Sequence, residues 1–239
     1  YGTYPNWQAE LAVPSLEMRM LQYLRQIIVH AWERASYGCA SLTLSSTPGP
    51  VHLNIPFRDP LAPIPQLDAD ALKSQFPEDF FVGITASITH PTPHTPHPTP
   101  YLQDWLQCDR GIIIAGVAQP RDGEGYVSAI ANLSKTLQWP VLAEGLSPVR
   151  NYATLNPYLI STYDLILRNQ QLAQQLTPEM AIQIGDLPTS KELRQWLETT
   201  QPQRWVIDPS HHNLDPLHGK TTHLRLPIEQ LVFSLPPIL

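Results

Sequence analysis

Gly111-Ile112-Ile113-Ile114-Ala115-Gly116 is the stretch that decides the fold. A short apolar run ending in glycine reads as a buried strand of a parallel sheet. Working downstream, helix and strand signals alternate. Residues 124–138 place Tyr126, Ile130, Leu133 and Leu137 on one helical face, and Pro140–Ala143 is the next strand. Residues 157–176 read as one helix, with Leu159, Tyr163, Ile166 and Leu167 on one side. Ala181–Ile184 is a third strand and Thr189–Thr199 a helix. Thr189-Ser190-Lys191-Glu192 predicts a capping box, the Thr189 hydroxyl taking the Glu192 amide and the Glu192 carboxylate returning the bond. Arg204–Asp208 and Thr222–Leu226 are a fourth and fifth strand, and Pro227 opens a last helix. This alternation with short connections implies a doubly wound α/β domain over residues 101–239, its parallel sheet covered on both faces.

Upstream the pattern is different. Residues 15–38 form an amphipathic helix, with Leu16, Met20, Leu21, Leu24, Ile27, Ile28, Ala31 and Ala35 at helical spacing. Val51–Ile55 alternates as a strand and Pro56 ends it. One helix and one strand do not make a domain, so residues 1–55 read as the tail of a domain whose beginning is absent. Residues 56–100 read as a linker, with a short helix from Asp68 to Gln75. The tract 90–100, HPTPHTPHPTP, has five prolines in eleven residues. Proline fixes φ and removes the backbone donor, which excludes helix and central strand there.

Composition narrows the function classes. The 239 residues carry 15 basic and 21 acidic side chains, a net charge of −6, which disfavours general nucleic-acid binding and anionic membrane surfaces. Prolines number 26, about twice the usual share. The two cysteines, Cys39 and Cys108, are too few for a disulfide scaffold or a cysteine zinc site, and a reducing cytoplasm is the simplest setting. No apolar run is long enough to span a membrane, and the N-terminus lacks the layout of a signal peptide. The chain begins at Tyr1 rather than Met, as a fragment or processed product would.

The chemistry-bearing residues sort quickly. His90, His94 and His97 have helical spacing, but their prolines forbid a helix, so they belong to the linker. His211, His212 and His218 read as a solvated loop. The dinucleotide fingerprint, the P-loop and the serine-hydrolase elbow are all missing. Asp208, at a strand end, reads as a loop cap. The best candidate site is Gly185-Asp186-Leu187-Pro188-Thr189-Ser190-Lys191, which follows a strand and opens a helix. Ligands of open α/β sheets gather beyond the carboxyl ends of strands. A helix N-terminus there offers free amides to an anion, and Lys191 adds charge.

Several stretches together resemble one family: Trp7–Leu11 with Pro14-Ser15, Gly49–Leu61 (GPVHLNIPFRDPL), Trp139–Ser147 (WPVLAEGLS), Tyr163-Asp164 with Leu167-Arg168, and Gly185–Trp196. The GPVHLNIPF strand is similar to the one that closes the pyrimidine-binding domain of thiamin-diphosphate enzymes. With WPVLAEGLS and PTSK added, the chain resembles the MenD family of menaquinone and phylloquinone biosynthesis. The resemblance implies the end of a pyrimidine-binding domain followed by a central α/β domain. It implies a carboligase that decarboxylates 2-oxoglutarate and adds the resulting carbanion to isochorismate, using thiamin diphosphate and Mg²⁺. It also implies a homodimer or homotetramer, because the family's cofactor lies between two chains.

Two family features are missing. The GDG motif that holds Mg²⁺ and the diphosphate is absent: Gly185-Asp186 is followed by Leu187, and Arg121-Asp122-Gly123 lacks the leading glycine. The glutamate that activates the aminopyrimidine is matched by neither Glu10 nor Glu17. These 239 residues alone are therefore expected to be inactive and to hold no catalytic, cofactor or metal residue. The resemblance makes Lys191, with Ser190 and Thr189, the substrate-binding candidates, facing an anionic substrate. Glu192 is acidic where some members are basic. Arg168 and Arg194 match no motif and stay unassigned. Two other readings stand beside this one. One is the central domain of an acetolactate-synthase-type carboligase. The other is a free-standing α/β module that binds an acidic metabolite at Lys191.

Overall fold

The structure, a computed structural model, describes residues 4–37, 49–59, 67–82, 84, 101–120, 122–210 and 212–231. Gly38, Cys39, the tract 90–100 with its three histidines, Arg121 and His211 lie outside the described residues. The chain divides into two compact units, Tyr1–Ala86 and Ser87–Leu239.

In the first unit β1 (Trp7–Glu10) and β2 (Val51–Asn54) pair in parallel, Trp7 opposite Val51 and Glu10 opposite Asn54. α1 (Met18–Tyr37) lies between them in sequence, the crossover that a parallel pair requires. α1 and β2 fall within the stretches expected from periodicity. β1 is new: four residues alternating half-buried and exposed are too few to stand out as a pattern. α1 buries the polar Arg25, His30 and Glu33, while Ile28 and Trp32 are 47% and 67% exposed. α2 (Leu67–Gln75) begins one residue before the expected short helix, and Phe80 beyond it is buried. The Arg25 guanidinium sits 4.6 Å from the centre of the Phe80 ring and donates to the Phe80 carbonyl at 2.6 Å. That combines a cation–π contact with a hydrogen bond from a charged donor.

The second unit is a six-stranded, all-parallel sheet. Its strands are β3 (Gly111–Ala115), β4 (Val141–Ala143), β5 (Leu159–Ile160), β6 (Met180–Ile184), β7 (Gln203–Ile207) and β8 (Thr221–Leu224). The spatial order is β5-β4-β3-β6-β7-β8, which is the doubly wound order with its topological switch between β3 and β6. Every residue of β3 is buried, and its side chains divide by period two. Ile113 and Ala115 join the core under α3 (Leu102–Leu106) and α4 (Gly123–Leu137). Ile112 and Ile114 join the core under α5 (Tyr163–Leu167) and α7 (Lys191–Thr200). The two glycines that bracket the run have separate causes. The Trp139 indole lies where a Gly111 side chain would stand, and the Asp186 carbonyl lies where a Gly116 side chain would stand.

Three expectations need correction. Residues 157–176 are not one helix. Leu159 and Ile160 extend to pair with Val141 and Leu142, so β5 takes the start of that segment. The remainder breaks into α5 and α6 (Gln170–Gln175), because the Asn169 side chain accepts from the Gln171 and Leu172 amides and caps a new helix. Second, α7 is capped by Ser190, whose hydroxyl accepts from the Leu193 amide at 3.1 Å, and Thr189 lies outside the helix. The Thr189–Glu192 capping box is therefore not formed. Third, the helix expected from Pro227 is a single 3₁₀ turn, Ile228–Gln230, within the described residues. Asp208 caps its loop as expected, accepting from the Ser210 amide at 2.8 Å. Among the described residues no helix is long and apolar enough to cross a membrane.

Candidate functional site

The segment 185–191 leaves β6 at the carboxyl edge of the sheet and enters α7, as the strand-to-helix reading requires. Gly185 has φ +70°, a left-handed conformation that suits glycine. The next residues turn across the edge, and other elements hold them. The Thr189 amide donates to Glu144 Oε2 at 2.9 Å. Glu144 is the residue after β4 and is 8% exposed. The Ser190 hydroxyl donates to Asp164 Oδ1, on α5, at 2.5 Å. Arg194 reaches back from α7 and donates to the Pro188 carbonyl at 2.8 Å and the Leu187 carbonyl at 3.2 Å.

These contacts set the electrostatics of the edge. The Ser190 hydrogen bond, and then the Arg168 guanidinium 3.0 Å away, hold the Asp164 carboxyl below its ordinary value. Burial, and then the neighbouring Glu144, push the Tyr163 phenol up to about 12, so it stays protonated at neutral pH. The helix N-terminus expected to attract an anion already faces two carboxylates of its own chain. Carboxylates are favourable partners for a helix N-terminus. The Lys191 side chain, the first of α7, is exposed.

All three sequence candidates thus fall on one turn, with different duties. The Thr189 amide is bound by Glu144, the Ser190 hydroxyl is both cap and donor to Asp164, and the Lys191 ammonium points to no hydrogen-bond partner among the described residues. The two unassigned arginines belong to the same turn. Arg194 touches it directly and Arg168 acts through Asp164. Glu144 and Asp164 are the residues that sequence reasoning missed. Each stands inside a quoted family stretch, but neither spacing nor periodicity links it to its partner.

Asp164 gives a testable pH dependence. Its carboxyl is held below the ordinary 3.8, so the folded state favours the ionised form. Stability from the bond is present above that value and is lost as the pH falls through the lower, folded value. The Asp164 side chain is 33% exposed, so the contribution is below about 1 kcal/mol. Asp164→Asn should lower Tm slightly at pH 7, with the gap closing as the pH falls below the ordinary carboxylate range. Melting curves across that range check it.

A cavity of about 470 Å³ opens toward the amino ends of the strands, on the α5 and α7 side of the sheet, lined by Ile112, Leu142, Ile160, Leu167, Leu176 and Trp196. Its rim cation, Arg110, donates to the Gln175 carbonyl at 2.7 Å. The lining is almost wholly apolar and brings no acid, base or nucleophile together, so we place the candidate chemistry at the turn.

Thiamin diphosphate does not fit this edge by itself. The switch-point crevice is closed where the Asp186 backbone abuts Gly116, which leaves no cradle for a diphosphate there. Among the described residues no group of three or more His, Cys, Asp or Glu side chains could hold a metal ion.

Comparison with known proteins gives a consistent answer. Residues 87–237 match the family described as "Middle domain of thiamine pyrophosphate". A Nostoc sp. protein is 66% identical over 236 residues, covering 98% of this chain and 39% of the relative. A Trichormus variabilis protein is 63% identical, covering 97% and 38%, and one from Trichodesmium erythraeum is 56% identical, covering 97% and 38%. All three are named 2-succinyl-5-enolpyruvyl-6-hydroxy-3-cyclohexene-1-carboxylate synthase. The chain spans about 39% of the length of the curated relatives it matches. The resemblance carried by WPVLAEGLS and PTSK is borne out by these names.

Proposed function

The chain belongs to the thiamine pyrophosphate enzymes, whose middle domain it carries, and from that premise we propose that it is the central part of a synthase joining 2-oxoglutarate to isochorismate. The observation that carries this reading is a meeting of sequence stretches. WPVLAEGLS and PTSK are the two that mark the resemblance, and a single hydrogen bond, Glu144 to the Thr189 amide, joins them at the carboxyl edge of the sheet. The two stretches that carry the resemblance thus meet in one place, the place where open α/β sheets bind ligands.

In this reading residues 1–55 are the end of a pyrimidine-binding domain, 56–100 a linker and 101–239 the central domain. Thiamin diphosphate supplies the electron sink for the decarboxylation when it is bound. It is held, with Mg²⁺, by parts of a longer protein. The contribution of this chain is to the substrates, both of which are anions. Lys191 presents an exposed ammonium from a turn whose Thr189 amide and Ser190 hydroxyl are already bonded, and it attracts a substrate carboxylate. Ser190 and Thr189 shape the turn. The synthase works in the cytoplasm as a homodimer or homotetramer.

The test is a full-length synthase carrying this segment, supplied with thiamin diphosphate, Mg²⁺, 2-oxoglutarate and isochorismate. CO₂ release and adduct formation that both require isochorismate are the expected result. Turnover with pyruvate in place of 2-oxoglutarate, and none with isochorismate, would restore the acetolactate-type reading.

A further inference from the structure

We propose that Glu144 and Asp164 are positioning residues that lock the turn before Lys191 and so aim its ammonium at an anionic substrate. The inference rests on the reading of Lys191 given above and adds to it the groups that control that lysine. Four successive residues are each held by a side chain from elsewhere: Leu187 and Pro188 through their carbonyls by Arg194, Thr189 through its amide by Glu144, and Ser190 through its hydroxyl by Asp164. Lys191 follows at once. The two acids come from different crossovers, one after β4 and one on α5, and reach adjacent residues.

A structural purpose alone would not require this chemistry. Serine already caps α7, and a buried carboxylate costs more to desolvate than a neutral amide would, but it holds the Thr189 amide more tightly. Two carboxylates at the helix end have a further consequence. They offset the positive potential of the free amides, so attraction for a substrate anion is concentrated on the Lys191 ammonium, at a position the locked turn fixes. A lysine side chain is long and flexible, and fixing its base shortens the search for the productive geometry.

The experiment is a double-mutant cycle in a full-length synthase carrying this segment, with kcat and KM measured for 2-oxoglutarate and isochorismate. Lys191→Met is expected to raise KM for one of the two anions by roughly tenfold with little change in kcat, the loss of one charge-assisted contact. Glu144→Gln is expected to raise the same KM, and the double variant to be no worse than Lys191→Met alone. A Lys191→Met enzyme with both KM values unchanged would overturn the reading of Lys191 and the inference with it. If Lys191→Met raises KM but Glu144→Gln leaves KM untouched, or adds its full effect in the double variant, the positioning role fails and the reading of Lys191 survives. Asp164→Asn, on a separate element, runs the same cycle if Glu144→Gln does not fold, and the same three outcomes decide it.

Discussion

Incubated with thiamin diphosphate, Mg²⁺, 2-oxoglutarate and isochorismate, the 239-residue chain alone should release no CO₂ and form no adduct. Two segments approach the missing GDG motif, and the structure shows what each is doing instead. In Asp122-Gly123, the Asp122 carboxylate is the N-cap of α4, accepting from the Gly125 amide at 2.9 Å. Freeing it for a metal would cost about 1 kcal/mol of helix stability before any ligand bound. In Gly185-Asp186, the Asp186 backbone is packed onto Gly116, and the buried Leu187 follows. Opening that contact would separate the loops that close the switch point. Each segment already serves a structural contact that a diphosphate cradle would have to break. A CO₂ sensor and calorimetry with thiamin diphosphate and Mg²⁺ check this directly. The expected calorimetric trace is flat. Turnover by the isolated chain would show that the missing motif has a substitute within these residues.

The parts of the fold that were legible are those decided by local chemistry. Gly111–Ala115 reads as a strand because the burial it predicts needs no partner to be known. The second-unit strands β4, β6, β7 and β8 follow for the same reason. What was illegible depended on pairing. Leu159 and Ile160 look like part of a helical face, and only the open edge of β4 makes them a strand. Thr189 and Ser190 are both acceptable caps; the Ser190 hydroxyl takes the Leu193 amide, while the Thr189 amide is bound by Glu144, 45 residues earlier. Asp164 is 26 residues from Ser190. No spacing rule reaches that far. The position of Lys191 at the sheet edge was therefore readable from sequence, while the apparatus around it was not.

Replacing Asp215 by alanine should destabilise the second unit by about 3–5 kcal/mol, the typical cost of breaking a buried pair from one side. Asp215 and Arg204 form an ion pair with side-chain exposures of 0% and 3%. Burial lowers the Arg204 pKa to about 10, which still leaves the guanidinium charged at neutral pH. Without Asp215 that charge has no counterion among the described residues. The carboxylate also accepts from the Leu217 amide at 3.1 Å, the Gly219 amide at 2.9 Å and the Thr221 hydroxyl at 2.6 Å. One side chain thus organises the loop that carries β7 into β8 without a helix. Arg204→Met removes the cation but leaves the carboxylate its loop donors, so it should cost less than Asp215→Ala. Equal losses would mean that the ion pair alone matters and the loop bonds do not. The damage should also reach the candidate site. The Gln183 amide donates both to the Leu214 carbonyl of that loop and to the Gly185 carbonyl, where the turn toward Lys191 begins. Urea unfolding of the 239-residue chain, following intrinsic tryptophan fluorescence at pH 7, measures both variants. A shift in midpoint for Asp215→Ala no larger than that for a surface substitution would refute the assignment of this pair as the fastening of the loop.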